Sequence, residues 1–509
     1  MNLLTEAWIP VRPLPAGAPE KITLRRLLCE DEKWELCLPR DDMELAALQM
    51  LVCMAQVFFI PKDMGELKQR ITVPLLPEEF DAGCAPYKEW FGLDHPDFPF
   101  MQRKGAKVET PMDKLLAGVT GAQNCCFVNE PGLAARLCGG CISIALFNLS
   151  SCSPSFGGGF KLGLRQGAAV TTFIAGDDLR QTVWLNVLAA EKLESCLPWH
   201  SATNNQKPTW VEPIKPGKIH AAQIGLFRGL FWQPAHVILG SADGPGQCSC
   251  CGFESDTNYS HFFKDKFSNY EVEGTWPHPH SPTISSIGRD GTLTEHIVSF
   301  GKSNAPAWTN LSRFVVQQQA EDRNPGQRPA AVILQAMDFL NKERIRMIVG
   351  GYQNQKGQAT ILGRRHEVYT FNPGWGSNTH VVAEIVQQAM GYKSALNSAM
   401  WVFASEIISN KTSRQKWLGC IEEQFYRRTE DAVLDTLANT DFANPVPTLL
   451  AMGERLHKTV TELFEIAVQP YLNDPELVKT MAISRNKLDG DLKALKPQQD
   501  GRKDDGTNG

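Results

Sequence analysis

The sequence has no excess of positive charge: 51 Lys and Arg stand against 56 Asp and Glu, a formal net charge of −5. That balance excludes a protein that coats nucleic acid unaided, so any nucleic-acid contact must come from local basic patches or from partners that supply the rest of the field. Long apolar runs are missing too. The longest stretch, Leu45 to Ile60, is interrupted by Gln49 and Gln56 and falls short of the about 18 uninterrupted residues a membrane span needs, so it predicts a buried helix in a soluble chain with no membrane partner. With fourteen cysteines and no N-terminal apolar signal, the expected setting is reducing and cytoplasmic, with thiols used for packing and metal. No G-K-[ST] follows the one triple-glycine loop, which excludes a nucleoside-triphosphate phosphate loop. Neither a carboxylate cluster with metal spacing nor a Cys–His pair stands out, so catalytic residues are not expected.

What the chain does have is concentrated between Phe127 and Lys161, where F-V-N-E-P-G leads into Cys138-Gly-Gly-Cys141 and then into Gly157, Gly158 and Gly159. Two cysteines separated by two residues can place both thiolates on one metal ion, with the glycines between them letting the backbone fold tightly. A partner pair lies downstream in Cys248-Ser-Cys250-Cys251-Gly252. Four thiolates would complete a closed structural zinc site, tie the loop before Cys138 to a fixed point and leave the glycine loop beside it. The ordinary pairs of a zinc ribbon are about 15 to 20 residues apart, so this one is a long-range staple. Cys250 competes with Cys251 for the fourth position; Cys248 with Cys251 repeats the two-residue gap. The rival reading, a thioredoxin-like redox pair, asks for a helix head in a short βαβ unit and leaves the second pair unexplained. The glycines let a main chain approach another backbone or a phosphate without a Cβ in the way; the plain alternative is a flexible turn.

Taken in order, residues 1–40 read as short strands or a hairpin, with Asp41 and Asp42 capping the apolar helix that follows. Leu76 to Leu93 and Pro111 to Leu116 predict helix, Ala169 to Ile174 a strand, and Leu179 to Leu193 a helix. Glu194 to Pro216, rich in proline and polar residues, predicts a surface excursion. Lys264 and Lys266 would project close to the zinc-held loop; the plain alternative is a solvated charge pair. His278 and His280 sit in a rigid proline-spaced loop without an acidic partner, a weak metal candidate. Strands are expected at Leu293 to Phe300 and Ala330 to Leu334. The arms Ile345 to Tyr352 and Ala359 to Leu362 predict a hairpin with a glutamine-rich tip, flanked by Arg344, Arg346, Arg364, Arg365 and His366. Glutamine can hydrogen-bond base edges while arginine and lysine hold phosphates; the plain alternative is an ordinary exposed hairpin whose polar tip does nothing. Periodic apolar positions then mark four long helices, about 379–409, 413–438, 446–468 and 475–495. The fold class expected is α+β: a large mixed α/β N-terminal domain (1–377) with a zinc-stapled loop region, a C-terminal antiparallel four-helix bundle (378–497) and a disordered tail (498–509).

The ordered series M-N-L-L, W-I-P-V-R-P, L-P-R-D-D-M-E-L-A-A-L, K-L-L-A-G-V, F-V-N-x-P-G, L-C-G-G-C, F-G-G-G-F-K, F-R-G-L-F-W-Q-P-A-H, C-S-C-C-G, W-P-H-P-H-S-P and R-R-H strongly resembles the CasA-type large subunits of Cascade, the type I-E CRISPR surveillance complex, over nearly the full length. The resemblance implies a non-catalytic subunit that recognises the protospacer-adjacent motif in double-stranded DNA, chiefly from the minor groove, and helps open the duplex for guide RNA. It implies DNA contacts at Phe127, Val128 and Asn129, at Gly157, Gly158 and Gly159, at a lysine finger matching Lys266, and at a wedge matching Gln358 and Ala359. Zinc on Cys138, Cys141, Cys248 and Cys251 agrees with it. The partners implied are CRISPR RNA, the other Cascade subunits, target duplex and the helicase-nuclease. The hairpin tip is two residues longer than the pattern, with Lys356-Gly357 inserted, so Gln355 and Gln358 both stay open as the wedge. Glu130 replaces a neutral amide. A structural zinc scaffold without direct DNA recognition is the alternative.

Overall fold

The structure is a computed structural model that describes residues 1–119, 129, 132–267, 269–301, 305–321, 324–354 and 359–495. Its architecture is mixed α/β, and it divides into two compact units. The first comprises Met1–Ser303, Arg313–Asn341 and Ile345–Val368; the second comprises Asn304–Ser312, Lys342–Arg344 and Tyr369–Gly509. No helix among the described residues is long and apolar enough to cross a membrane.

The first unit is built on the helix Asp41–Phe58, which is buried over nearly its whole length and packs on the equally buried helix Gly139–Ser151. The two glutamines that interrupt its apolar run are satisfied inside the core. Gln56 exchanges hydrogen bonds with the Leu188 backbone at 3.1 and 2.6 Å, and Gln49 accepts from Arg165 at 2.9 Å. Asp41 and Asp42 do lie in the first turn, where free amides favour negative charge, but the N-cap is Arg40 and neither acid caps the helix. Asp42 instead joins Arg40, Arg364 and the Tyr352 hydroxyl.

Small sheets surround this core. Ile9–Pro13 lies between Glu20–Ile22 and Trp34–Leu36, antiparallel to both, with Pro10 opposite Lys21. Thr23, expected in a strand, caps the helix Leu24–Cys29 by accepting from the Arg26 amide at 3.0 Å. The arms Ile345–Asn354 and Ile361–Phe371 are neighbours in one sheet, longer than expected, and the first pairs antiparallel with Thr171–Ala175.

Other expectations need correction. Residues 330–334 begin the helix Ala331–Phe339, because a short β-branched run cannot by itself be told from a buried helix. The helix expected over 179–193 is two, Leu179–Leu185 and Ala190–Cys196. The supposed surface excursion after Glu194 drops Trp210 into a cluster of Phe91, Phe100, Phe227 and Phe231, its indole N–H donating to the Trp90 carbonyl at 2.8 Å. Met64–Thr72, capped by Asp63, was not anticipated as a helix.

In the second unit four long helices, Thr379–Ile407, Lys411–Asn439, Val446–Val468 and Val478–Ala494, pack on one another. Of the stripe its spacing predicts, the third buries Leu449, Met452, Leu456, Val460 and Leu463 but leaves Ala467 half-buried, with Phe464 and Val468 completing the face. Asp474 caps a single 3₁₀ turn, Pro475–Leu477, ahead of the fourth.

Candidate metal centre and nucleic-acid interface

Cys138 ends a two-residue strand that pairs with Glu254–Tyr259, and it is the N-cap of the helix Gly139–Ser151. Gly139 and Gly140 are therefore helical, and their use is close approach. A Cβ on Gly140 would lie 2.8 Å from the Trp8 carbonyl oxygen, and one on Gly139 would lie 3.0 Å from Leu93. The second pair sits on the turn between Gly244–Gln247 and Glu254–Tyr259, which are themselves paired. The Gly252 amide donates to the Cys248 carbonyl at 2.9 Å, and Gly252 has φ +75°, the tight turn such a knuckle needs.

The sulfurs of Cys138, Cys141, Cys248 and Cys251 all lie within 4.8 Å of one another, 110 residues apart in sequence, and all four are free thiols. Cys138 Sγ and Cys251 Sγ are 3.8 Å apart. That is close to the separation of two sulfurs each about 2.3 Å from a central tetrahedral zinc. The donor set fits such an ion. Cys251, not Cys250, is the fourth member. Hydrogen bonds from Cys141, Cys248 and Cys251 push the Cys138 thiol strongly down, and the Lys21 ammonium adds to this.

The glycine loop follows the same helix. Gly157, Gly158 and Gly159 have φ of +78°, +48° and +89°, three successive left-handed residues that only glycine adopts without strain. A Cβ on Gly157 would stand 3.1 Å from Ala359, and one on Gly159 would stand 3.4 Å from Lys266 Nζ. Gly158, Gly159 and Lys266 are exposed. Phe156 and Phe160 pair edge to face at 5.2 Å below the loop, and Phe156 stacks on buried Phe262. Lys264 Nζ lies 4.3 Å from the Phe156 ring centre, and Lys161 Nζ lies 5.6 Å from that of Tyr270. Burial, then the neighbouring charge of Lys114, lowers the Lys264 pKa. Register fixes these groups: Lys264 lies opposite Val108 on one side and Val237 on the other, while Phe267 stacks between His236 and Tyr270.

Arg165 pins the far end of the loop. Its buried guanidinium donates to Gln49 Oε1, the Ser151 and Val170 carbonyls, Thr171 Oγ1 and Ser281 Oγ at 2.6–3.1 Å. His278 and His280 lie in the same polar core, with Gln49 Nε2 3.5 and 3.4 Å from their rings. Cys53, which sequence reasoning did not connect with them, brings a third donor atom within 4.8 Å. Burial, and then the charge of Arg165 beside both rings, holds both histidines neutral, and that charge disfavours a second cation there.

Of the residues expected to touch DNA, the structure brings together Gly157, Gly158, Gly159, Lys266 and Ala359. Asn129 turns its amide inward, donating to the Gly118 and Val119 carbonyls at 3.2 and 2.9 Å. Phe127, Val128, Glu130, Gln355 and Gln358 lie outside the described residues. Sequence reasoning missed the aromatic support of Lys264 and the roles of Arg165 and Lys21; only the basic residues near Gly157–Gly159 hinted at the first.

Solved structures share this fold. Thermobifida fusca Cse1 superposes with a TM-score of 0.75 at 15% identity, covering 98% of each chain. Thermus thermophilus CasA (Cse1) gives 0.71 at 16%, covering 97% of this chain and 99% of that one. A chain of a CRISPR RNA-guided surveillance complex gives 0.65 at 15%, covering 96% and 99%. Residues 2–463 match the family model described as CRISPR-associated protein Cse1, and the chain belongs to that family.

Proposed function

We propose that this chain is a non-catalytic subunit of a cytoplasmic CRISPR RNA-guided surveillance complex, and that within it the chain recognises the protospacer-adjacent motif in duplex DNA and begins strand separation. The observation that carries the reading is the juxtaposition of three left-handed glycines, the exposed Lys266 and the hairpin residue Ala359. A backbone strip with no Cβ can enter a minor groove about 6 Å wide, and a single lysine can reach acceptors there without an arginine clamp. Prying one base step apart costs a few kcal/mol, which phosphate contacts and guide-RNA pairing offset. The net charge of −5 leaves most of the affinity to RNA-bound partners. Zinc on Cys138, Cys141, Cys248 and Cys251 would staple the loop region, making the strip a fixed probe. In this reading residues 1–377 recognise DNA. Residues 378–497 form an antiparallel four-helix bundle against small subunits and displaced strand, and the chain also docks the helicase-nuclease.

The test uses the assembled complex. Lys266→Met should leave assembly intact and weaken binding of a motif-bearing duplex about tenfold, the worth of one charge-assisted contact. Duplex binding at wild-type strength, with defects only on cysteine replacement, would favour the scaffold alternative.

A further inference from the structure

Four thiolates around one divalent ion carry a net charge of −2, and burial makes that charge costly unless N–H donors point at the sulfurs. Here Cys138, Cys141 and Cys248 are each 1% exposed. The backbone N–H of Cys138 donates to Cys248 Sγ at 3.3 Å, and the amino end of the Gly139–Ser151 helix starts at the cluster. One side chain adds a full positive charge. Lys21 Nζ donates to Cys138 Sγ at 3.2 Å, bridging 117 residues of sequence.

The lysine is held in place by its surroundings. It lies on the strand Glu20–Ile22, paired to Ile9–Pro13 opposite Pro10, and its ammonium sits 5.5 Å from the centre of the Phe253 ring. A cleft of about 380 Å³ opens beside the cysteines and is lined by Lys21 and Cys138 together with the acids Glu6, Asp94, Glu254 and Asp256. Lys21 therefore stands at the side from which solvent reaches the otherwise buried sulfur.

We propose that Lys21 is the charge partner of the four-cysteine centre: its ammonium neutralises part of the thiolate charge through Cys138 and shields that sulfur on its open side. The role is a positioning one, and it rests on the metal reading given above. It also ties the N-terminal sheet to the metal ligands, so the centre joins three segments of chain, not two.

The test takes the full chain purified with zinc and compares wild type with Lys21→Met, which keeps the stem and removes the charge, and Lys21→Arg, which keeps the charge. Metal content is measured first, then the rate of zinc transfer to a chromogenic chelator, and then the sulfur-to-cobalt charge-transfer band of the cobalt(II) forms. Outer partners of metal ligands are worth about 10- to 100-fold in affinity. Lys21→Met should release zinc at least about tenfold faster and move the band to lower energy, as a thiolate without its donor gives up electrons more easily, while Lys21→Arg stays near wild type. Wild-type release with an unmoved band in Lys21→Met overturns the inference. So does equal acceleration in both variants, which would assign the effect to shape. A wild-type chain without metal overturns the metal reading itself.

Discussion

Arg165 shows how one residue sets the chemistry of a core. Its described acceptors are neutral, so its charge is felt undiminished by the histidines beside it. Burial, followed by that charge, pushes His280 down to about 3 and His278 well below its ordinary range. In the unfolded chain each would protonate near pH 6.5. Below that pH the unfolded state binds more protons than the folded one, so stability must fall as pH falls, for His280 down to about pH 3. The slope is on the order of 1 kcal/mol per pH unit for each histidine. His200, His236 and His366, also lowered by burial, act in the same direction. For Asp42, burial is outweighed by Arg40, which holds the carboxylate below its usual range; its contribution is present at neutral pH and lost only below about pH 4. Urea unfolding at pH 7 and pH 5 checks this: the chain should be less stable at pH 5, and His280→Gln should flatten the slope by one proton. Equal stability at the two values would contradict a neutral buried pair. The two cysteine pairs were legible because each is a local spacing. Lys21 was not, because its partner stands 117 residues away, and Arg165 and Asp42 likewise reach, beyond their near neighbours, to partners 116 and 310 residues away that no spacing announces.

Among the elements, the glycine loop makes the sharpest demand on sequence. At Gly158 a Cβ would meet nothing within 4 Å, so Gly158→Ala isolates the backbone cost of φ +48°. That cost is about 1–2 kcal/mol, and chemical denaturation should register it as a loss of stability with no change in the unfolding slope. A Gly158→Ala chain as stable as wild type would mean that the left-handed run is not needed. The same reasoning separates legible from illegible elements. The Val446–Val468 helix could be read because its apolar residues recur every three or four positions along one stripe. Ala331–Phe339 could not, since its Val and Ile favour strands locally and only its packing in the core makes it helical. Trp210 was hidden for a related reason: polar and proline neighbours dominate the composition of 194–216, while one indole decides where the segment goes.

At the scale of the whole molecule, each of the two units is stabilised internally by its own means. The second rests on periodic apolar stripes along helices of 17 to 29 residues, a pattern visible in the sequence, although it also takes in Asn304–Ser312 and Lys342–Arg344, which no periodicity flags. The first is a set of small sheets around a buried helix, and its loop region closes through sulfurs brought together across 110 residues. Metal at such a centre contributes directly to folding free energy, so its removal should loosen what the cysteines tie and nothing else. Hydrogen exchange on the full chain, before and after a strong chelator, reads this out by segment. Backbone amides of 137–141 and 248–258 and of the glycine loop should exchange faster, on the order of tenfold or more, while those of Thr379–Ile407 and Val446–Val468 keep their protection. Uniform loss of protection in both units would show one cooperative structure. Unchanged exchange around the cysteines would show that the staple carries no load and that the glycine strip owes its position to Arg165 and the sheet alone.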